Sequence, residues 1–253
     1  MLGLARLPRF SAQKNLSLFV GLVCGVSGLV WHAVTLWLLI HVLGGIALSI
    51  GNVASFIGLQ LALIALIGSA ESSLRGLSAG LLVLAGLITV NTGGQVPAGA
   101  GNPMSWQIEL HILVSLFAYG LLTVGAIVAL YGLIQDVRLR AGMLSSVNQL
   151  FAPLETTEKL LFGITSTGFL ALLVAVSTGF AFVDNLFAQH LVHKTALSLL
   201  ALLLFGLLLG GRRFAGWRGK RAIYLYLGGF LILCLAYFGT RFVLEDILGR
   251  SWG

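Results

Sequence analysis

The sequence predicts an all-α fold, a polytopic membrane helix bundle with about seven transmembrane helices, the N-terminus inside and the C-terminus outside. Hydrophobic residues make up 58% of the chain and charged residues only 9%, whereas about a quarter of the residues in a soluble domain are charged. The mean hydropathy is +1.02. The apolar residues also fall into runs of membrane-spanning length, and a helix satisfies all backbone hydrogen bonds of such a run within lipid.

Seven apolar runs are the candidate transmembrane helices. The first run is too long for the apolar core of a signal peptide, and His32 is its only residue that titrates near neutral pH. All four prolines lie outside the runs, where a missing backbone donor costs nothing. The runs are Leu16–Ile40, Gly45–Ile67, Leu77–Val90, Ile108–Leu133, Leu160–Val183, Leu191–Gly210 and Ala222–Val243.

Lysine and arginine are distributed unevenly between alternate loops. With the N-terminus in the cytoplasm, three of the fifteen, Lys194, Arg241 and Arg250, fall outside. Positive residues favour the cytoplasmic side of short loops, so we expect the loops Asn91–Gln107 and Asp184–Gln189 to lie outside. The residues predicted inside are Arg6, Arg9, Lys14, Arg75, Arg138, Arg140, Lys159, Arg212, Arg213, Arg218, Lys220 and Arg221.

The charge pattern also bears on partners. The net charge is +7, but the basic residues flank apolar runs, so they indicate membrane orientation and no nucleic-acid partner. The densest cluster, RRFAGWRGKR at Arg212–Arg221, is interpreted as a topology anchor, with binding of anionic lipid or of a cytoplasmic partner as the alternatives.

Reactive chemistry is not indicated. The two cysteines, Cys24 and Cys234, lie in apolar runs without a C-x-x-C motif, and the carboxylates form no pair at catalytic spacing. We therefore expect a single integral membrane domain over residues 1–253 that is not an enzyme.

The five histidines all fall on the predicted outer side. His111 begins the fourth run, and His190 and His193, three residues apart, begin the sixth, a spacing that places both on one helix face. Titratable groups near a bilayer tend to face a bundle interior or a cavity, so these positions, together with His32, predict an outward-facing binding site. A neutral imidazole can bind iron or another metal, and Lys194 beside His193 favours the neutral form. The alternative is that the histidines are interfacial, with His111 capping a polar contact.

Three segments carry a family resemblance. They are HILVSLFAYGLLTVGAIVALYGLIQD, LETTEKLLFGITSTGFLALLVAVSTGFAFVDNLFAQHLVHKT and GWRGKRAIYLYLGGFLILCLAYFGTRFVLE, in that order. They resemble the cytochrome c assembly transmembrane family, closest to its HemX and YpjD branch, over a core of about residues 106–245. WHAVTLW, at Trp31–Trp37, is similar to a histidine-bearing helix near the start of that branch.

The resemblance implies a multi-pass protein of the bacterial inner membrane that handles haem on its outer side. It implies haem as the cofactor, with membrane lipid and other cytochrome c biogenesis proteins as partners. His111 matches the histidine at the head of the family core, and His190 and His193 lie beside the position of a tryptophan-rich loop. We expect His111 and His193, or His190, to bind the haem iron from opposite sides. The resemblance also implies a further helix before Met1.

Three functions stay open on the sequence. The first is haem binding in cytochrome c biogenesis. The second is an accessory or regulatory membrane protein that keeps the fold but lacks the haem-presenting loop, because residues 184–189 contain no tryptophan. The third is a small-molecule or proton pathway lined by the histidines.

Overall fold

The computed structural model describes residues 14–42, 50–92, 105–142, 153–182 and 189–239. These ranges hold seven α-helices, and each helix is long and apolar enough to cross a membrane. A 3-10 turn, Ser72–Leu74, precedes α3, and a π-helical turn, Leu235–Gly239, follows α7. The helices are α1 Lys14–Val42, α2 Ile50–Ser69, α3 Arg75–Thr92, α4 Trp106–Arg140, α5 Leu154–Phe182, α6 Gln189–Ala215 and α7 Lys220–Cys234.

The predicted seven-helix membrane fold is confirmed, although α4, α5 and α6 each extend by more than a turn beyond their apolar runs. α4 continues to Arg140, and the Arg140 guanidinium pairs with Asp136 one turn earlier, at 2.9 Å. α5 begins at Leu154, directly after Pro153. Most of both loops predicted to lie outside falls beyond the described residues, and the direction of the bundle in the membrane stays a prediction.

The chain divides into two compact units. The first unit comprises residues 1–105 and 134–157, and in it α1 packs on α2 while α2 and α3 form a hairpin. The hairpin turn is closed by side chains: the Glu71 carboxylate accepts the Ser73 N–H, and the Arg75 guanidinium donates to the Ser69 carbonyl at 3.2 Å. Leu61 and Ala65 are fully buried on α2 and form the core of this unit.

The second unit comprises residues 106–133 and 158–253. Its core is centred on Tyr226 of α7, which is fully buried and donates its hydroxyl to the Leu122 carbonyl of α4 at 2.8 Å. The ring of Phe205 meets the edge of Tyr226 with the centroids 5.2 Å apart. Gly125 makes this approach possible, because a Cβ there would lie 2.6 Å from Tyr226 Cζ.

The relative directions of the helices follow from their order along the chain. Consecutive helices that each cross the membrane once alternate in direction. In the second unit, the start of α4, the end of α5, the start of α6 and the end of α7 therefore share one membrane face. The predicted site residues of this unit lie at that face.

Candidate functional site

His111 lies in the second turn of α4. The helix begins at Trp106, and Glu109 in its first turn suits the positive end of the helix dipole. The Trp106 ring contacts the Phe182 ring at the end of α5, with the centroids 6.4 Å apart. This contact brings the last turns of α5 against the His111 imidazole.

Thr178 on α5 is the hydrogen-bond partner of His111. Its Oγ1 atom is 3.1 Å from the imidazole Nδ1. The ring lies against Gly179, where an added Cβ would be 3.1 Å from the imidazole Cε1. A larger side chain at position 179 would therefore push the half-buried ring away from α5.

The Thr178 hydroxyl selects the tautomer of His111. Thr178 Oγ1 is 2.9 Å from the carbonyl oxygens of both Val174 and Ala175, so its single proton is donated to α5 itself. Thr178 Oγ1 is then the acceptor, and the His111 Nδ1–H is the donor. This leaves Nε2 with the lone pair, which is the form that binds a metal. Metal-binding histidines commonly donate their other ring N–H to an oxygen in this way.

Polar side chains of α4, α6 and the π-helical turn contact one another in the same unit as His111. Lys194 is close enough for its charge to act on the His111 imidazole, and its Nζ lies 5.1 Å from the centroid of the Tyr237 ring. Tyr237 meets Tyr119 edge to face, with the centroids 5.8 Å apart. We call His111, Tyr119, Thr178, Lys194, Ser198 and Tyr237 the polar cluster.

Tyr119 fixes the geometry of the polar cluster. Its hydroxyl donates to the Leu233 carbonyl at 3.3 Å, and the Ser198 side chain lies close to it. The Leu233 carbonyl lies two residues before the π-helical turn Leu235–Gly239. Turns of this kind often occur at functional sites, and this one carries Tyr237 into the cluster.

The other predicted histidines differ in their surroundings. His193 is exposed, while its neighbour Lys194, about 100° further around the helix, belongs to the polar cluster. His190 lies in the first turn of α6 and His41 in the last turn of α1, but the side chains of both fall outside the described residues. His111 is thus the predicted site histidine of the second unit whose contacts are defined.

His32 belongs to the first unit and joins its three helices. Its Nε2 is 2.8 Å from Ser55 Oγ on α2, and its Nδ1 is 3.2 Å from Thr89 Oγ1 on α3. The Thr89 hydroxyl donates to the Ala85 carbonyl at 2.8 Å, so the His32 Nδ1–H is the donor and Nε2 accepts from Ser55. Both ring nitrogens are occupied, which suits a structural role.

The donor atoms fit haem better than a metal ion held by protein alone. Over the described ranges, no three His, Cys, Asp or Glu side chains come together as a metal site. A haem iron needs only one or two protein ligands, because the macrocycle supplies the other four. A single imidazole with a free Nε2, close to a cation and surrounded by apolar helices, matches that requirement.

The sequence indicated part of this site. The sequence predicts His111 as a site residue and Lys194 as a cation beside the site. Ser198 could have been found from its i, i+4 spacing to Lys194. Thr178 and Tyr237 carry no signal in the sequence, because their roles depend on which helices pack together.

Comparison with known proteins agrees with the predicted resemblance. The sequence profile of the family described as "Cytochrome C assembly protein" matches residues 20–248, so the match includes α1 to α3 as well as the core expected at about residues 106–245. No solved structure matches the chain.

Two curated relatives illustrate the similarity. "Inner membrane protein YpjD" of Escherichia coli strain K12 is 37% identical over 138 residues, which cover 54% of this chain and 52% of that protein. The "Uncharacterized 28.8 kDa protein in nifR3-like 5'region" of Azospirillum brasilense is 29% identical over 171 residues, 67% of this chain and 63% of that protein. The chain thus spans about half the length of YpjD. With the profile matching most of its residues, the chain belongs to the Cytochrome C assembly protein family.

Proposed function

We propose that this protein binds haem in the bacterial inner membrane and acts in cytochrome c biogenesis, and that His111 would hold the iron. The observation that carries the proposal is the contact between His111 Nδ1 and the Thr178 hydroxyl, whose own proton is held by the α5 backbone. This contact fixes the neutral tautomer with Nε2 free. Family membership and the name of the relative YpjD support the process and the membrane.

A second residue to hold the iron would come from the start of α6. His190 is four residues before Lys194 and eight before Ser198, the spacing that places side chains on one helix face. This spacing favours His190, and the exposed His193 is the alternative. His32 would support the bundle rather than bind haem, because both of its ring nitrogens have partners.

The remaining parts of the polar cluster suit the other chemistry of haem. When bound, haem supplies an iron centre and two anionic propionate groups. Lys194, held over the Tyr237 ring, would neutralise a propionate at the membrane surface. The apolar side chains of α4 and α6 would cover the faces of the macrocycle. We propose no reaction for the protein, and its partners would be membrane lipid, haem and other cytochrome c biogenesis proteins.

A second function is favoured by one observation. The stretch between α5 and α6, residues 183–188, contains no tryptophan, whereas the resemblance implies a tryptophan-rich loop there in haem-presenting members. An accessory or regulatory protein that keeps the fold without binding haem would account for this difference.

Hemin titration of the full chain in detergent separates the two functions. For the haem-binding protein we expect a Soret band shifted from that of free hemin, with two imidazoles giving a six-coordinate, low-spin spectrum. His111→Ala should weaken hemin binding by at least about tenfold. His41→Ala is the matched control, because it removes a histidine that has no part in the proposed site. His190→Ala and His193→Ala identify the second ligand.

Two results would overturn the proposal. A wild-type spectrum identical to that of free hemin in the same detergent would favour the accessory function. Equal hemin affinity in wild type and His111→Ala would remove His111 from the site.

A further inference from the structure

The connection between α6 and α7 concentrates positive charge at one level of the membrane. Five of the ten residues in Arg212–Arg221 are lysine or arginine, and none is acidic. α6 ends and α7 begins within this stretch, and both helices are of membrane-spanning type. The connection therefore lies at the depth of the lipid headgroups, whichever side of the membrane it occupies.

One of the five cations has an internal role. The Glu158 carboxylate of α5 accepts the Gly219 N–H at 2.7 Å and lies 3.9 Å from the Arg212 guanidinium. Arg212 also donates to the Trp217 carbonyl at 3.4 Å and lies 4.4 Å over the Phe162 ring. These contacts hold the connection against α5, and they pair the charge of Arg212 with a carboxylate of the protein itself.

The backbone of the connection is fixed as well. Gly216 and Gly219 both have φ of 63°, a conformation that glycine adopts without strain. Trp217 folds back against Gly211, and its N–H donates to the Gly211 carbonyl at 3.1 Å. The cations are thus presented from a defined turn.

Three further cations face outward from this turn. Arg213, Arg218 and Arg221 are exposed, and the Arg221 guanidinium lies 4.4 Å over the Trp217 ring. Phe214, next to Arg213, is 88% exposed. Lysine and arginine are enriched beside the cytoplasmic ends of membrane helices, and a guanidinium binds phosphate through two parallel hydrogen bonds.

We propose that the α6–α7 connection binds the headgroup of an anionic phospholipid through Arg213, Arg218 and Arg221, with Arg212 and Glu158 holding the turn in shape. Arginine is suited to this ligand because its planar fork donates two hydrogen bonds to one phosphate. The proposal is independent of haem binding, since it uses residues at the opposite end of α6 from the polar cluster.

The test compares two lipids with identical acyl chains, phosphatidylglycerol and phosphatidylcholine, bound to the full-length protein in a neutral detergent. Retained lipid is counted by native mass spectrometry. Wild type should retain phosphatidylglycerol at least about tenfold more strongly, since each cation near the headgroups contributes about fivefold. Arg213→Gln/Arg218→Gln should remove most of this preference, and Arg213→Lys/Arg218→Lys should keep much of it.

The matched control is Arg138→Gln/Arg140→Gln, which removes two cations from the end of α4. It should change the lipid preference by less than about twofold. Equal losses in the control and site variants would show attraction by total charge and would overturn the proposal. A wild-type protein that retains both lipids equally would also overturn the proposal. The same holds if inorganic phosphate, at about the concentration of the lipid headgroups, displaces the lipid completely. Thermal unfolding of each variant in the same detergent checks that the helices are retained.

Discussion

Thr178 on α5 holds the His111 imidazole of α4 by its Nδ1 atom, at 3.1 Å, while its own proton is donated to the α5 backbone. The hydroxyl is thus an acceptor toward the histidine. The oxygen at position 178 therefore controls which ring nitrogen of His111 is free.

Replacing that oxygen tests the tautomer directly. Thr178→Val keeps the shape of the side chain but removes the acceptor, and we expect hemin affinity to fall about tenfold to a hundredfold, as for other partners of ligand histidines. Thr178→Ser keeps the acceptor and should bind hemin as wild type does. Hemin titration with a low-spin spectral readout measures both. Equal affinity of the Val and Ser variants would contradict the assigned tautomer.

The His32 network should affect stability without affecting haem. Ser55→Ala leaves the His32 Nε2 without its partner inside the α1 to α3 bundle, and an unmade hydrogen bond of this kind costs about 1–3 kcal/mol. We expect that loss in the free energy of unfolding in detergent, with hemin affinity unchanged. A Ser55→Ala variant with normal stability but weaker hemin binding would assign His32 to the haem site.

The close approach of Tyr226 to Gly125 predicts a steric effect. Gly125→Ala places a methyl group against the Tyr226 ring, and such overpacking costs about 1–3 kcal/mol. Gly228→Ala on α7 is the matched control, since nothing lies within 4 Å of its added Cβ, and it should be neutral or stabilising. Thermal unfolding of both variants measures the difference. The same midpoint in both would show that α4 and α7 are further apart than described.

The Glu158 contacts predict different effects for two substitutions. Glu158→Ala removes the acceptor of the Gly219 N–H and should destabilise the protein by about 1–3 kcal/mol. Glu158→Gln retains a carbonyl oxygen for that N–H and loses only the negative charge that faces Arg212. Because this ion pair is partly exposed, the loss should cost less than about 1 kcal/mol. Chemical unfolding monitored by Trp fluorescence compares them. A larger loss for Gln than for Ala would mean that the charge matters more than the backbone hydrogen bond.

The predicted orientation can be tested by labelling single cysteines. In a background with Cys24→Ser and Cys234→Ser, an impermeant thiol reagent applied outside should label Gly99→Cys and spare Ser145→Cys. This pattern is expected because the opposite orientation would place most of the lysine and arginine residues outside the cytoplasm. Permeabilised cells serve as the control, because both positions should then react. Labelling of Ser145→Cys but not of Gly99→Cys in intact cells would show that the predicted orientation is wrong.

The seven helices were predictable because membrane-spanning runs are marked by composition alone. The ends of α4 and α5 were not, since their last and first turns are polar. The Asp136 and Arg140 pair stabilises the extra turns of α4, and Pro153 suits the position just before α5. A prediction based on apolar runs therefore leaves out polar turns at either end of a helix.

The candidate site was predictable only where a single helix contains the signal. The position of His111 at the head of α4 and of Lys194 at the head of α6 can be read from each run. The pairing of His111 with Thr178 depends on the packing of α4 against α5, and periodicity identifies the face of a helix without identifying its neighbour.

The π-helical turn after α7 makes the position of Tyr237 depend on the length of the chain at that turn. A π turn contains one more residue than an α-helical turn, so removing Leu235 or Ala236 would bring Tyr237 one residue nearer to α7 and change the direction of its side chain. The Tyr237 ring would then leave the Lys194 ammonium. The length of this turn, as well as the aromatic ring of Tyr237, therefore decides whether the cation is met, and a one-residue deletion there would alter the site while leaving all seven apolar runs in place.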